Sequence, residues 1–348
     1  MKTLLVTGGA GFIGGCFVRR AIASGRARII NLDALTYAGN LDSIPGPSDT
    51  HVFVHGDIGD SELVSRMLGD YEVDAVINFA AESHVDRSID GPEAFIETNI
   101  TGTFRLLRAA LDHYRSLSES KQSTFRFLHV STDEVFGSLG PSGYFQETTP
   151  YSPNSPYSAT KAASDHLVRA WNHTYGLPTL ITNCSNNYGP YQFPEKLIPL
   201  ITLNAMEGKL LPIYGDGLNV RDWLFVEDHC SAIETVLDKG RIGETYNVGG
   251  DCEQTNLRIV EIICDTVNQL CPDLPHDCRS LITYVKDRPG HDKRYAIDAA
   301  KIRQELGWTP QTDFENGIRQ TVAWYIENTD WVERITTGKY QRQRLGTA

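Results

Sequence analysis

The chain has 348 residues, of which 41% are hydrophobic and 22% are charged, a composition typical of a folded globular protein and not of a disordered one. Its formal net charge of −12 argues against a protein that binds nucleic acid or a membrane surface, since both functions require a basic patch. No apolar run approaches the ~18 residues of a membrane-spanning helix or forms a secretory signal, so we expect a cytoplasmic protein.

The first half of the chain alternates strand and helix patterns. Short apolar runs predict strands at residues 4–7, 28–32, 51–54, 73–79 and 125–130, and helical patterns occupy residues 11–24, 60–70 and 93–115. The run at 73–79 is almost continuously apolar, as in a parallel strand that is buried on both faces. This succession predicts an α/β fold built on a doubly wound parallel sheet of the Rossmann type.

The pattern loosens from about residue 185, where proline and glycine separate short elements. Helices are predicted at 256–270 and 312–327, and residues 177–182 and 245–248 resemble strands that return to the main sheet. We therefore expect a dinucleotide-binding domain at residues 1–184, with returning segments near 220–250. Residues 185–348 are expected to form mainly a smaller, mixed α/β substrate-binding lobe.

A glycine-rich turn lies between the first strand and the first helix. In this turn Gly8 permits the tight turn, Gly11 allows the backbone to approach a pyrophosphate, and Gly14 allows the helix to pack on the strand. The helix N-terminus supplies unpaired N–H groups for the phosphates. Asp33 follows Gly14 by 19 residues, close to the spacing of a ribose-binding acid. The combination favours NAD over NADP, because a carboxylate repels a 2′-phosphate.

Two further pairs of residues are expected at the same edge of the sheet. Asp57 and Ile58 follow the third predicted strand, and Ala80 and Ala81 follow the fourth. In open α/β sheets, ligands bind at the carboxyl ends of the strands. We predict that these residues line the cofactor site, although simple packing would explain each pair as well.

Tyr157 and Lys161 are four residues apart in a helix that begins at Pro156, so both lie on one helical face. A tyrosine that acts as a base near pH 7 needs a pKa about 3 units below its normal value of about 10, and an adjacent lysine cation with a nicotinamide ring could provide this. This pair alone is a weak signal, and it gains weight only from the nucleotide site in the same chain.

Thr132, Asp133 and Glu134 follow the predicted strand at 125–130 and should also lie at the carboxyl edge. The threonine hydroxyl could bind a substrate hydroxyl beside Tyr157. Two neighbouring carboxyl groups can act as acid and base when their environments separate their pKa values. Taken alone, the acidic pair is better explained as part of a solvated turn.

Together these residues resemble the extended short-chain dehydrogenase/reductase superfamily and, within it, the dTDP-glucose 4,6-dehydratase family. The resemblance runs from residue 1 to about 310 and rests on the segments DALTYAGN (33–40), AAESHVDRS (80–88), TDE (132–134), SPY (155–157), NNYGPYQ (186–192), PEKL (194–197) and RPGHD (288–292). Phe136 stands where the family more often has tyrosine, a change that we do not expect to abolish the chemistry.

The resemblance implies a reaction on a nucleoside diphosphate sugar. Tyr157, assisted by Thr132 and Lys161, would take the proton of the sugar 4-hydroxyl while NAD accepts the C4 hydride. Glu134 would then remove the C5 proton, and Asp133 would protonate the departing 6-hydroxyl. Return of the hydride to C6 would regenerate NAD, which should therefore stay tightly bound. The implied product is dTDP-4-keto-6-deoxyglucose, a precursor of rhamnose and other deoxysugars.

The resemblance also extends the two binding sites. Besides the residues above, the predicted cofactor site includes Phe12, Ile13, Ala34, Leu35, Thr36, Ser83, Thr98, Tyr157, Lys161 and Asn187. The predicted substrate site comprises Ser83, His84, Thr132, Asn186, Lys196, Leu197, Pro212, Tyr214, Arg221, Asn256, Arg288, His291 and Tyr295. Among these, Lys196, Arg221 and Arg288 are the cations expected to hold the diphosphate, although each could instead form a surface ion pair.

The sequence leaves three other functions open. A nucleotide-sugar 4-epimerase would keep Tyr157 and Lys161 without needing Asp133 and Glu134, and 4,6-dehydration of another nucleotide hexose would use the same residues. A non-catalytic dinucleotide-binding protein is a remote alternative, since it would not need these four residues.

The sequence also indicates which partners and metals to expect. A homodimer joined through the helices at 93–115 and 158–175 is implied by the resemblance alone. The seven cysteines are expected to be reduced thiols. We expect no metal site, because Cys264, Cys271 and Cys278 are seven residues apart, too far for a ligand pair.

Overall fold

The computed structural model describes residues 1–287 and 290–336, which form twelve strands and thirteen α-helices. The strands are β1 (Lys2–Thr7), β2 (Ala27–Asp33), β3 (His51–His55), β4 (Ala75–Asn78), β5 (Arg126–Thr132), β6 (Thr179–Cys184), β7 (Asn186–Tyr188), β8 (Leu211–Tyr214), β9 (Val220–Phe225), β10 (Thr245–Val248), β11 (Glu253–Thr255) and β12 (Ile282–Val285). The helices are α1 (Phe12–Ser24), α2 (Ser61–Asp70), α3 (Val85–Asp90), α4 (Pro92–Phe95), α5 (Thr103–Ser116), α6 (Glu119–Thr124), α7 (Pro156–Tyr175), α8 (Leu197–Met206), α9 (Val226–Lys239), α10 (Asn256–Leu270), α11 (Ala300–Leu306), α12 (Phe314–Glu327) and α13 (Thr329–Thr336).

The central sheet has seven strands in the order β3-β2-β1-β4-β5-β6-β10, and all of its neighbouring pairs are parallel. The chain moves outward in one direction through β2 and β3 and then crosses to β4 on the other side of β1. This doubly wound order confirms the predicted Rossmann-type fold. It also places a topological switch point between β1 and β4, where open sheets of this kind bind ligands.

Both faces of the sheet are covered by helices, as the continuous apolar runs of the strands require. On β1, Leu4 and Val6 pack in a core with α1, α9 and α11, whereas Leu5 belongs to the core beneath α2, α5 and α7. The alternation of side chains along one strand thus supplies two separate hydrophobic layers.

The remaining strands form two small sheets, β11-β9-β7 and β12-β8. They pack with α8, α10 and α12 around a third core that includes Ile201, Trp223 and Ile263. Strand β10 lies in the main sheet beside β6, as the sequence pattern at 245–248 predicts. No helix in the described ranges is long and apolar enough to cross a membrane.

The predicted helix at 93–115 is interrupted. Residues Ile96–Gly102 form a π-helical turn between α4 and α5, in which the buried Asn99 donates hydrogen bonds to the Glu82 carbonyl (3.0 Å) and to Thr160 Oγ1 (3.0 Å). π-helical turns occur frequently at functional sites, and here the turn joins the end of β4 to the first turns of α7.

Candidate active site

A cleft opens at the carboxyl edge of the central sheet, at the switch point, and has a volume of about 300 Å³. This volume falls within the range of small-molecule sites. Most of the predicted residues line it: Gly8, Gly11, Phe12, Ile13, Gly14, Asp33, Ala34, Thr36, Asp57, Ile58, Ala80, Ala81, Ser83, Thr98, Thr132, Asp133, Glu134, Tyr157, Lys161, Asn186, Asn187 and Lys196. The structure thus brings the glycine-rich turn, the Tyr–Lys pair and the two carboxyl groups to one cavity.

The glycine-rich turn has the geometry of a phosphate cradle. Gly8 has φ +69°, and a Cβ there would lie 2.7 Å from the Ala80 nitrogen, so only glycine fits between the turn and β4. A Cβ on Gly14 would collide with the Gly8 carbonyl oxygen. Helix α1 begins after Gly11 without a side-chain cap. Its first N–H groups therefore suit a pyrophosphate, and this part of the cleft fits NAD.

Asp33 is held rigidly at the end of β2. Its Oδ2 accepts a hydrogen bond from the Ala10 amide (2.8 Å), and its Oδ1 accepts one from the Leu35 amide (2.8 Å). Burial raises the pKa of Asp33, while these two amides oppose the shift. Leu35 was predicted to bind the cofactor, but it lies outside the lining of the cleft and acts through its amide, which orients Asp33.

Tyr157 and Lys161 project from the first turns of α7. Reciprocal hydrogen bonds between Ser155 and Ser158 cap this helix, with Pro156 at its first position. Both functional side chains are buried, and Phe95 packs edge-on against the Tyr157 ring. Lys161 Nζ donates to the Val130 carbonyl oxygen (2.9 Å), which fixes the lysine against β5.

The protein environment of Tyr157 does not lower its pKa. Burial, and then the negative charge of Glu134, raise the pKa of Tyr157 well above its ordinary value, although a hydrogen bond with Thr132 opposes them. The lower pKa expected from Lys161 together with a nicotinamide ring stays a prediction for the site with NAD bound. Burial dominates because the phenolate would lie in a nearly dry pocket.

The acid–base candidates lie where β5 ends in a tight turn at Asp133–Phe136. Thr132 Oγ1 donates to Asp133 Oδ1 (3.3 Å) and accepts from the Glu134 amide (3.3 Å). Asp133 is only 1% exposed. Burial raises its pKa well above the ordinary value, and the charges of Glu134 and Asp222 add to the effect, while Arg221 opposes it. The surroundings of Asp133 thus favour its protonated form, whereas Glu134 is half-buried at the cleft.

The predicted phosphate-binding cations differ in their placement. Lys196 lines the cleft and donates to the Ser83 carbonyl oxygen (3.1 Å). Arg221 is buried outside the lining, where its guanidinium donates to the Asp292 carbonyl oxygen (2.8 Å) and stacks on the Tyr295 ring (4.2 Å). Its positive charge still acts on the cleft, because it opposes the raised pKa of Asp133. Arg288 lies outside the described residues.

Other predicted substrate residues lie beyond the lining of the cleft. They are His84, Leu197, Pro212, Tyr214, Asn256, His291 and Tyr295. His84 caps α3, with its Nδ1 accepting from the Arg87 amide (3.4 Å), and Tyr214 meets His291 edge-on. The Tyr295 hydroxyl donates to Asp292 Oδ2 (2.5 Å).

Sequence reasoning missed an ionic group at the cleft. Glu195 accepts a hydrogen bond from Arg87 Nε (2.9 Å), and the Arg87 guanidinium stacks on Tyr37 at 3.8 Å. Glu82 and Glu195 both line the cleft. All four residues lie in segments that carry the family resemblance, so those segments were the available signal.

Comparison with known proteins decides the family. A family model described as GDP-mannose 4,6 dehydratase matches residues 5–321. The dTDP-glucose 4,6-dehydratase of Xanthomonas campestris pv. campestris (strain B100) is 61% identical over 350 residues, which cover 99% of each chain. The chain belongs to the nucleotide-sugar 4,6-dehydratase family. This result confirms the resemblance drawn from the sequence.

Solved structures place the chain in the same dehydratase family. The dTDP-glucose 4,6-dehydratase of Streptomyces venezuelae, solved with NAD bound, has a TM-score of 0.88 at 48% identity, covering 96% of this chain and 99% of that chain. The UDP-glucose 4-epimerase of Thermotoga maritima has a TM-score of 0.83 at 26% identity, covering 94% and 99%. Because dehydratase and epimerase share the fold, the reaction must be argued from the site residues.

The cysteines form no disulfide and no metal site among the described residues. All seven are free thiols, and Cys184 lines the cleft. Within residues 1–287 and 290–336, no group of three or more histidine, cysteine or acidic side chains is arranged to hold a metal ion.

Proposed function

We propose that the protein is an NAD-dependent hydro-lyase that converts dTDP-glucose to dTDP-4-keto-6-deoxyglucose and water. One observation carries the proposal: Asp133 and Glu134 share a cleft with Tyr157 and Lys161. An enzyme that only oxidises or epimerises a hydroxyl needs the second pair alone. A dehydratase also needs an acid and a base for the elimination. The names of the full-length relatives support the same reaction and the same nucleotide sugar.

The first step is oxidation at C4 of the sugar. Tyr157 takes the proton of the 4-hydroxyl as a phenolate, which the Lys161 ammonium from the next helical turn and the nicotinamide ring of bound NAD stabilise against the effect of burial. NAD, when bound, accepts the C4 hydride and later returns it to C6. The resulting ketone at C4 makes the C5 hydrogen acidic, which prepares the elimination.

The second step removes water across C5 and C6. Glu134 at the cleft takes the C5 proton, and Asp133 donates a proton to the departing 6-hydroxyl. The raised pKa of Asp133 supports this assignment, since a buried carboxyl keeps its proton at neutral pH and can act as an acid. To complete the product, C6 receives the hydride and C5 receives a proton from Glu134 after exchange with solvent. Tyr157 then releases its proton and Asp133 regains one, so the net change is the loss of one water.

The same cleft would bind both NAD and the nucleotide sugar. We propose that the sites predicted from the sequence hold NAD at the glycine-rich turn and Asp33, and the nucleotide sugar near Ser83, Asn186 and Lys196. Residues 1–184, with segments near 220–250, would serve mainly NAD, and residues 185–348 mainly the nucleotide sugar. We also propose that the protein is a cytoplasmic homodimer, joined through the region of α4, α5 and α7. Its product would supply the synthesis of deoxysugars such as rhamnose.

The competing function is nucleotide-sugar 4-epimerisation, which the fold alone permits because the Thermotoga maritima epimerase shares it. Mass spectrometry of the product separates the two. Incubation with dTDP-glucose should yield a nucleotide sugar lighter by one water, whereas an epimerase yields an isomer of unchanged mass. A product of unchanged mass would overturn the dehydratase proposal.

A further inference from the structure

A fully buried polar cluster contacts Lys161 and has no part in the mechanism above. It consists of His129 on β5 and Asp165 on α7, which are 1% and 0% exposed, together with the side chains that bind them. His129 Nε2 lies 3.3 Å from Lys161 Nζ and 3.5 Å from Asp165 Oδ1. The cluster therefore links the lysine to a carboxylate that lies outside the lining of the cleft.

Asp165 is organised as an anion. Its Oδ2 accepts hydrogen bonds from Ser131 Oγ (2.9 Å), the Tyr151 hydroxyl (2.8 Å) and Asn183 Nδ2 (3.3 Å). Its Oδ1 is buried and has no hydrogen-bond partner among the described residues. Burial raises the pKa of Asp165, while Lys161 and these donors favour the ionised form. A carboxylate buried in this way requires a nearby counter-charge.

His129 is oriented as a neutral spacer. Thr7 Oγ1 donates to Asn78 Oδ1 (2.6 Å), and Asn78 Nδ2 in turn donates to His129 Nδ1 (3.0 Å). The ring hydrogen therefore lies on Nε2, which faces Lys161, Asp165 and Ser164. Burial, and then the charge of Lys161, lower the pKa of His129 well below its ordinary value, so the ring carries no charge at neutral pH.

Asp165 is thus the anion that offsets the burial of Lys161. Burial lowers the pKa of Lys161, and Asp165 is the leading group that opposes this effect. Cys184 also faces the lysine, but burial raises the pKa of this thiol, so it is neutral. Tyr157 lies one helical turn away and is held neutral by its surroundings. On the far side of Asp165, Arg169 donates to Tyr151 (2.8 Å).

We infer that Asp165 and His129 are positioning residues for the reaction: Asp165 keeps Lys161 an ammonium inside a dry site, and His129, whose Nε2 hydrogen faces Asp165 Oδ1, holds that carboxylate in place beside the lysine. This inference rests on the proposed function, in which a charged Lys161 supports Tyr157 as the base. Neither residue is expected to touch substrate or cofactor.

The test compares the wild type with Asp165→Asn, which keeps the shape of the side chain and removes its charge. Without the carboxylate, Lys161 loses its proton at lower pH. The alkaline limb of the kcat profile should move down by about 1 to 3 pH units. Near the alkaline end of the pH profile, kcat should fall at least about ten-fold relative to the wild type. KM for dTDP-glucose and the affinity for NAD should stay within about two-fold of the wild-type values.

A second readout does not depend on turnover. The side-chain Nζ resonance of Lys161, in protein labelled with ¹⁵N-lysine and assigned with Lys161→Arg, should titrate at lower pH in Asp165→Asn than in the wild type. Tyr151→Phe retains the carboxylate and removes one of its donors. It should move the kcat limb and the Nζ titration in the same direction, but by less.

The matched control is Asp228→Asn, another buried aspartate, whose Oδ2 accepts from the Thr312 amide on the far side of the sheet. It should leave the pH profile unchanged. If a folded Asp165→Asn or Tyr151→Phe retains both the wild-type pH profile and the wild-type Nζ titration, the inference is wrong. If the wild type itself fails to dehydrate dTDP-glucose, the proposed function fails instead, and the Nζ titration still decides the role of Asp165.

Discussion

Asp133 and Glu134 are adjacent in the chain, yet only Glu134 is appreciably exposed. The turn after β5 directs Asp133 into the protein, where it is 1% exposed, and leaves Glu134 at the cleft. The charge of Glu134 is the largest contribution after burial to the raised pKa of Asp133. Two identical functional groups are thereby assigned opposite roles, one as a proton donor and the other as a base.

Replacing the buried acid should block elimination but leave oxidation possible. In Asp133→Asn, Tyr157 can still remove the 4-hydroxyl proton, whereas the 6-hydroxyl leaves without a proton. We expect kcat for product formation to fall by about 10²- to 10⁴-fold. Absorbance of reduced nicotinamide during a single turnover should persist longer than in the wild type. A variant that forms product at the wild-type rate would contradict the assignment of Asp133 as the acid.

The same substitution should stabilise the fold at neutral pH. The pKa of Asp133 is raised in the folded state, so the native protein binds more protons than the unfolded chain above about pH 4. Its contribution to stability therefore falls as the pH rises towards the folded pKa. Asparagine does not titrate, and Asp133→Asn should show a higher Tm than the wild type at pH 7.5. The difference should shrink towards pH 4, as measured by calorimetry without substrate.

The glycine-rich turn permits a test with an internal control. Gly8 and Gly25 have similar φ values of +69° and +63°, but a Cβ on Gly8 would meet the Ala80 backbone, whereas a Cβ on Gly25 would meet nothing within 4 Å. Each alanine should cost about 1–2 kcal/mol for the left-handed conformation. Only Gly8→Ala should also lose its affinity for NAD, as measured by titration calorimetry. Equal NAD affinity in the two variants would show that the turn does not hold the cofactor.

Asp33 should control affinity for the cofactor. Its carboxylate is held by two amides, so Asp33→Asn places an amide group where the ribose hydroxyls are expected. We expect at least about a ten-fold loss of NAD affinity, equal to about 1.4 kcal/mol, and a smaller loss for NADP. Asp60→Asn, at the aspartate that caps α2, serves as the control and should bind NAD normally. An unchanged ratio of the two affinities would exclude Asp33 from cofactor selection.

The Rossmann-type half was predictable because local signals agree with the fold. Buried parallel strands are apolar throughout, and the glycine-rich turn identifies the edge at which the ligand binds. Helix α9 was missed although Val226, Cys230, Ile233 and Leu237 follow a helical period and pack on the sheet. The surrounding proline- and glycine-rich segments obscured this pattern.

Other features depend on tertiary structure and leave no local signal. In the π-helical turn, Asn99 bonds to Glu82 and Thr160, which are far apart in the chain. Backbone carbonyl groups of residues 292 and 293 accept hydrogen bonds from the guanidinium of Arg221, contacts that the sequence does not indicate. The pKa of Tyr157 depends on burial, which the spacing of Tyr157 and Lys161 does not reveal.

Proton NMR of the purified protein with dTDP-glucose in D2O can show dehydration with internal return of hydride in a single experiment. Without added cofactor, we expect a new C6 methyl signal, with deuterium incorporated at C5, because NAD remains bound and is regenerated at each turnover. Absence of a methyl signal even after NAD is added, or a galactose-type isomer in its place, would show that the protein does not dehydrate this sugar.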